Sequence, residues 1–154
     1  MDERLILKTD GKIDLTIPKD FEEYDNTFDI YLHNTDEMIG RMWFDEGFDE
    51  DFTKYFGNAG YEIFEKYRRK GYASLALKLL KDIMLEEEIT KMIFSIASSN
   101  IASRKTAEKF GAKITCYRKV PKNHKLYNIS GEEIVIYERD IGEYDEKIET
   151  KKHL

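Results

Sequence analysis

The feature that most constrains this chain is a change of period at Gly71. From there the apolar residues fall at Tyr72, Leu75, Ala76, Leu79, Leu80 and Ile83. That is the i, i+3, i+4, i+7 spacing of an amphipathic helix, and Ser74, Lys78, Lys81 and Asp82 occupy its opposite face. Just before it, Tyr61-Glu62-Ile63-Phe64 reads as a short strand. After it, Met92 to Ala97 is apolar on both faces, as a buried parallel strand would be. A second helix follows, with Ser99 or Asn100 as its N-cap and Gly111 in the C′ position. Lys113 to Tyr117 and Glu133 to Glu138 then read as two more strands. Strand, helix, strand, helix, strand predicts right-handed crossovers and a parallel pair at the centre of the sheet.

The segment upstream of Tyr61 reads as hairpins. Leu5 to Lys8 and Ile13 to Ile17 flank Asp10-Gly11, a tight-turn pair, and Pro18 ends the second run. Phe28 to Leu32 alternates, and Met38 to Phe44 is its expected partner across a turn near Asn34-Thr35-Asp36. The predicted class is therefore a mixed α/β (α+β) fold: a mostly antiparallel sheet, a parallel pair in the middle, and helices packed on it. There is no internal repeat, low-complexity segment or linker. The expectation is one domain over residues 1–154, with a charged tail from about 141 that frays.

Composition excludes several function classes. With 25 Lys+Arg against 31 Asp+Glu, the chain carries a formal charge of −6, a poor footing for general nucleic-acid binding. No apolar run approaches the roughly 20 residues that span a bilayer. The start lacks the apolar core of a signal peptide, and Cys116 is the single cysteine, so a cytoplasmic protein is expected. His33, His124 and His153 are scattered, so no metal site is expected, and they read as ordinary surface or loop residues.

Within this acidic chain, Lys66-Tyr67-Arg68-Arg69-Lys70-Gly71-Tyr72-Ala73-Ser74 joins a strand to a helix start and carries four cations. Helix N-terminal amides are unpaired and partly positive, so they bind anions such as phosphate. Gly71 lets the backbone approach a ligand with no Cβ in the way, and Ala73 is nearly as small. A helix dipole disfavours cations at this end, so four of them point to a bound anion rather than to a merely solvated loop. Neither the G-x-x-x-x-G-K-[ST] nor the G-x-G-x-x-G phosphate loop is present.

Arg68-Arg69-Lys70-Gly71-Tyr72-Ala73 resembles the acetyl-CoA signature [Q/R]-x-x-G-x-[G/A] of the GNAT (Gcn5-related N-acetyltransferase) superfamily. Asn100 to Ala112 is similar to the family's N-x-x-[SA]-x-x-x-x-x-K-x-G-[FA] segment. The two matches stand in the family's order, with a helix and a strand between them.

The resemblance implies an acetyl-CoA-dependent N-acetyltransferase with an amine acceptor, either a small molecule or a peptide, and a monomer or homodimer. Backbone amides of residues 68 to 74 would hold the pyrophosphate. The pantetheine arm would lie between two splayed strands. Backbone groups of Ile63 and Phe64 would bind the arm and polarise the thioester carbonyl, and Asn100, with Ser103 nearby, would bond it. Glu62, beside the thioester site, is the candidate base; in a solvated or salt-bridged position it would have no catalytic part. The family's tyrosine, which protonates the leaving thiolate, falls at Ala107. Tyr72, Tyr117, Ser103 or water would have to replace it. The missing tyrosine also motivates an alternative, a non-catalytic acyl-CoA-binding or regulatory domain. Asp45, Glu46, Asp49, Glu50 and Asp51 read first as a solvated acidic loop, with attraction of a cationic amine as the alternative, and of Tyr24, Tyr31, Trp43, Phe44 and Phe56 most are expected in the core and the rest in an acceptor pocket. A third possibility is a basic-loop module for a phosphorylated partner.

Overall fold

A computed structural model of the chain describes residues 4–19, 26–46 and 54–142. The chain divides into two compact units, Met1–Asp45 with Ala59–Ile83, and Glu46–Asn58 with Met84–Leu154.

The first unit is a five-stranded antiparallel sheet in chain order: β1 (Ile6–Thr9), β2 (Ile13–Thr16), β3 (Thr27–Leu32), β4 (Met38–Phe44) and β5 (Ala59–Ile63). The Asp10-Gly11 turn forms as its residues dictate. Gly11 sits at φ +83°, and the Asp10 carboxylate accepts from the Lys12 and Ile13 amides at 2.8 and 2.9 Å. Asn34 at φ +59° turns the next hairpin. Strand alternation sorts the two faces. Ile13, Leu15, Ile30, Met42 and Ile63 are buried on one face. Each such aliphatic side chain contributes about 1.5–3 kcal/mol.

The opposite face carries a polar row across four strands, because Thr16 pairs with Asp29, Asp29 with Arg41 and Arg41 with Glu62. Thr16 Oγ1 donates to the Asp29 carbonyl at 3.2 Å, and Arg41 Nε to the Asp29 carboxylate at 3.1 Å. Asp14, on the same face, is 1% exposed and bonds His33 Nδ1 at 2.8 Å. His33 is therefore the partner of a buried carboxylate and no ordinary loop residue. A buried carboxylate without a partner costs several kcal/mol.

The first helix, α1, runs Tyr72–Glu86. Ala76, Leu79, Leu80 and Ile83 are buried as the spacing predicts, with Leu77 and Met84 widening the stripe. Glu88, at φ +62°, ends it where a glycine is usual, and the Ile89 amide reaches back to the Met84 carbonyl at 2.9 Å.

The second unit is a three-stranded antiparallel sheet in the order β6 (Lys91–Ala97), β8 (Glu133–Asp140), β7 (Lys113–Lys119). Residues 54–58 line the other edge of β6. Asn58 N–H donates to the Ile93 carbonyl at 2.9 Å, and its Oδ1 accepts from the Ile93 amide at 2.7 Å. Gly57 is obligatory there, because a Cβ would lie 2.3 Å from the Ile93 carbonyl oxygen. Helix α2 (Ile101–Lys109) has Asn100 as its N-cap, and a short helix α3 (Tyr127–Ser130), absent from the sequence reading, lies between β7 and β8. His124, the second histidine read as ordinary, packs against Tyr55 with ring centroids 4.3 Å apart and planes tilted by 43°, and accepts from the Leu126 amide. This places it beside the cluster of Tyr55, Val120, Leu126, Ile134 and Ile136.

Among the described residues every ladder is antiparallel, which corrects the predicted parallel pair. β5 ends one sheet and β6 begins the other. The tail, His153, Tyr24, Asp49, Glu50 and Asp51 lie outside the described residues.

Candidate functional site

The basic loop begins where β5 stops. Phe64 leads into a 3-10 turn over Glu65–Tyr67, held by Tyr67 N–H to Phe64 carbonyl (2.8 Å) and Arg68 N–H to Glu65 carbonyl (3.2 Å). Arg68 is extended, Arg69 is left-handed at φ +66° and Gly71 is left-handed at φ +83°. Left-handed residues interspersed with right-handed ones curl successive N–H groups into an anion-binding concavity. Leu75 donates to the Gly71 carbonyl at 3.3 Å, so the amides of Tyr72, Ala73 and Ser74 have no intrahelical acceptor. Apart from its own chain neighbours, nothing lies within 4 Å of the point a Gly71 Cβ would occupy. The site is thus a curl of free donors with open space beside its glycine, which fits a diphosphate.

The four cations divide by role. Arg68 turns back, its Nε donating to the Ile63 carbonyl at 2.7 Å, and so ties the loop to the end of β5. Lys66 lies over the Tyr67 ring at 5.4 Å, and the Tyr67 hydroxyl donates to Glu37 at 3.3 Å. Arg69 and Lys70 are exposed to solvent. The signature arginine thus braces the loop through Nε, and its side chain is otherwise exposed.

Phe64 N–H donates to the Ile39 carbonyl at 2.8 Å and so is taken up within the sheet, while its carbonyl accepts from Tyr67 at 2.8 Å and keeps a second lone pair. Antiparallel pairing alternates bonded and outward-facing residues. With Phe64 bonded to β4, Ile63 N–H faces the edge of β5 that has no partner strand among the described residues, while the Ile63 side chain is buried.

Glu62 is exposed and stands directly across from Arg41. The β4–β5 register is continuous, so no bulge moves Glu62 to the Ile63 face. It shares its face with Trp43, which lies over Gly60. A Gly60 Cβ would meet the indole at 2.6 Å. Of the aromatics expected in an acceptor pocket, Trp43 is 43% exposed and Tyr31 stacks under Arg4 at 4.0 Å. Phe44 is core, stacked on Phe28, and Phe56 lies beside His124.

In the second unit Asn100 Oδ1 accepts from the Ser103 amide at 3.2 Å, which settles the N-cap in favour of Asn100 over Ser99. Ala107, at the tyrosine position, is buried. Sequence reading missed the polar network beside it. Arg104 donates through Nε to the Tyr137 hydroxyl (3.0 Å), through Nη1 to the Ser98 carbonyl (3.1 Å) and through Nη2 to the Tyr117 hydroxyl (3.1 Å). Tyr137 donates to Glu108 at 2.7 Å. Burial pushes the Tyr137 phenol up, partly offset by the Arg104 bond. That bond in turn raises Arg104. The only sequence trace of the network is the i, i+4 spacing of Arg104 and Glu108. Among the described residues no group of His, Cys, Asp and Glu is set to hold a metal ion, and no helix is long and apolar enough to cross a membrane.

A family profile described as acetyltransferase (GNAT) domain matches residues 8–113. That is over half of the chain and includes the curled loop and Asn100, so the protein belongs to the GNAT acetyltransferase family. No curated protein matches it by sequence. Similar solved structures include a GNAT-family acetyltransferase from Bacillus anthracis, with 23% identity, TM-score 0.60 and coverage of 75% of this chain and 66% of that one. Ribosomal-protein-S5-alanine acetyltransferase from Vibrio fischeri is similar with 19% identity and TM-score 0.61 over 77% and 63% of the two chains. RimL, a ribosomal L7/L12 α-N-protein acetyltransferase solved with coenzyme A, matches with 22% identity and TM-score 0.58 over 77% and 63%. These likenesses show the GNAT fold, and the chain spans less than two thirds of each of those proteins.

Proposed function

We propose that the protein transfers the acetyl group of acetyl-CoA to an amine within a ternary complex. The observation that carries this reading is the loop 68–74, whose left-handed Arg69 and Gly71 and unpaired helix-start amides suit a pyrophosphate. The neutral amine attacks the thioester carbonyl carbon, the carbonyl electrons move onto oxygen, and the collapsing intermediate breaks the C–S bond. The amine's proton goes to a base and the thiolate leaves as CoA, protonated by water or a nearby hydroxyl. Ile63 N–H, facing the edge of β5 that has no partner strand among the described residues, is the main-chain donor suited to the developing oxyanion. Glu62 is proposed as base, and Asn100 and Ser103 as partners of the pantetheine arm.

A cationic acceptor suits the face that Glu62 shares with Trp43, since an ammonium group is attracted to an exposed indole. Two of the similar proteins are named for acetylating ribosomal proteins, which favours a protein N-terminus as acceptor. The reading fits a cytoplasmic enzyme supplied with acetyl-CoA. The second reading, a non-catalytic acyl-CoA-binding domain, is favoured by one observation, the buried Ala107 where a tyrosine is usual. Thiol release from acetyl-CoA across a panel of amines and N-terminal peptides separates the two. Turnover with one acceptor supports transfer. CoA binding with no turnover for any acceptor favours the second.

A further inference from the structure

The chain's charge is segregated. Between Lys109 and Gly131 stand Lys109, Lys113, Arg118, Lys119, Lys122 and Lys125, with no Asp or Glu, in a chain of net charge −6. This stretch contains β7, the terminal strand of its sheet, whose second edge has no partner strand among the described residues. Val120 N–H bonds the Glu132 carbonyl at 2.9 Å, so alternation turns the main-chain groups of Lys119 and Tyr117 outward along that edge. Beside them Ile114 and Tyr117 are 42% and 54% exposed. Lys113 and Lys119 face Glu138 and Glu133 across the ladder. Lys122 and Lys125, in the loop that follows, are exposed and form no ion pair among the described residues.

Lysines on an edge strand repel a second copy of the same edge, and that alone is a common guard against aggregation. Here the guard has one sign only and borders exposed apolar side chains and outward main-chain groups. A strand of opposite charge escapes the repulsion and finds a ladder to join. We propose that the open edge of β7 takes up an acidic, extended segment of a partner protein by strand addition. The main chain of Tyr117 and Lys119 supplies hydrogen bonds, and Lys122 and Lys125 supply the charge complement. A nucleic acid would use the cations and leave the ladder and the apolar side chains unused, so a polypeptide is the better fit.

The test uses the full chain and a fluorescent twelve-residue peptide of alternating Glu and Val, read by anisotropy without acetyl-CoA, so that its failure leaves acetyl transfer untouched. Saturable binding is expected, weakened at least tenfold by Lys122→Glu with Lys125→Glu and by 0.5 M salt. The same peptide N-methylated at alternate residues keeps its charge and cannot pair as a strand, and it should bind at least tenfold more weakly. Equal binding of the N-methylated peptide would overturn strand addition. So would tighter binding of a twelve-nucleotide single-stranded RNA, or a stable dimer by ultracentrifugation that excludes the peptide.

Discussion

Gly71 and Arg69 both hold positive φ, and they differ in what they lose when changed. At φ +83° a β-branched residue is heavily strained, and its side chain would fill the open space beside the donors. Gly71→Val should therefore weaken CoA binding by tenfold or more, while Arg69→Ala, which removes only an exposed cation, should cost less than threefold. Equal losses in a calorimetric titration would mean that side-chain charge, and not the curled backbone, holds the anion. Glu62 is the second residue-scale question. A positioned base typically contributes roughly 10²–10⁴-fold. Glu62→Gln should thus lower kcat strongly near neutral pH, spare CoA affinity, and recover partly at high pH, where more of the amine is already neutral. A wild-type rate would retire Glu62 and leave deprotonation to water. The turn into α1 was legible because a glycine just before a helix start has few other uses, and Gly71 holds positive φ there. The bond from Arg68 to the Ile63 carbonyl is one that no spacing reveals, since it depends on how the 3-10 turn folds back.

At the scale of elements, α2 is capped by Asn100, the residue also proposed to hold the pantetheine arm. Asn100→Ala should cost about 1 kcal/mol of stability by removing the bond to the Ser103 amide, whereas Asn100→Ser keeps a capping oxygen and should remain near wild type in melting temperature. If the Asn100 amide also holds the pantetheine arm, Asn100→Ser loses CoA affinity without losing stability; unchanged affinity would make the residue a cap only. The helices and hairpins were readable because periods of 3.6 and 2 leave a trace in one sequence. β4 was placed from Met38 to Phe44, and α1 began just after Gly71. The direction of β6's pairing was not readable, because β6 reads as apolar whether its neighbours run parallel or antiparallel. Nor was α3, whose four residues are too few to show a period.

Across the whole molecule, stability at alkaline pH should depend on Tyr137. Burial raises its phenol above the ordinary value of 10.0, so the folded state keeps a proton that the unfolded chain releases. The contribution is fully present below about pH 10, the unfolded phenol's value, and is lost as pH rises through the folded one. The melting temperature should fall above pH 10, and Tyr137→Phe should show a shallower fall from a lower starting point. An identical alkaline slope in both would remove Tyr137 from the account. This network spans Arg104, Glu108, Tyr117 and Tyr137, which lie on α2, β7 and β8, and only the folded chain brings them together.

The central claim is that backbone amides of the loop after β5 hold the diphosphate of acetyl-CoA. An amide-resolved NMR titration of the isotope-labelled protein with CoA tests it most directly. The account predicts that the largest shifts fall on the amides of Arg69 to Ser74, that they saturate with CoA, and that pyrophosphate reproduces part of them. Saturating CoA that leaves those six amides unmoved would contradict it.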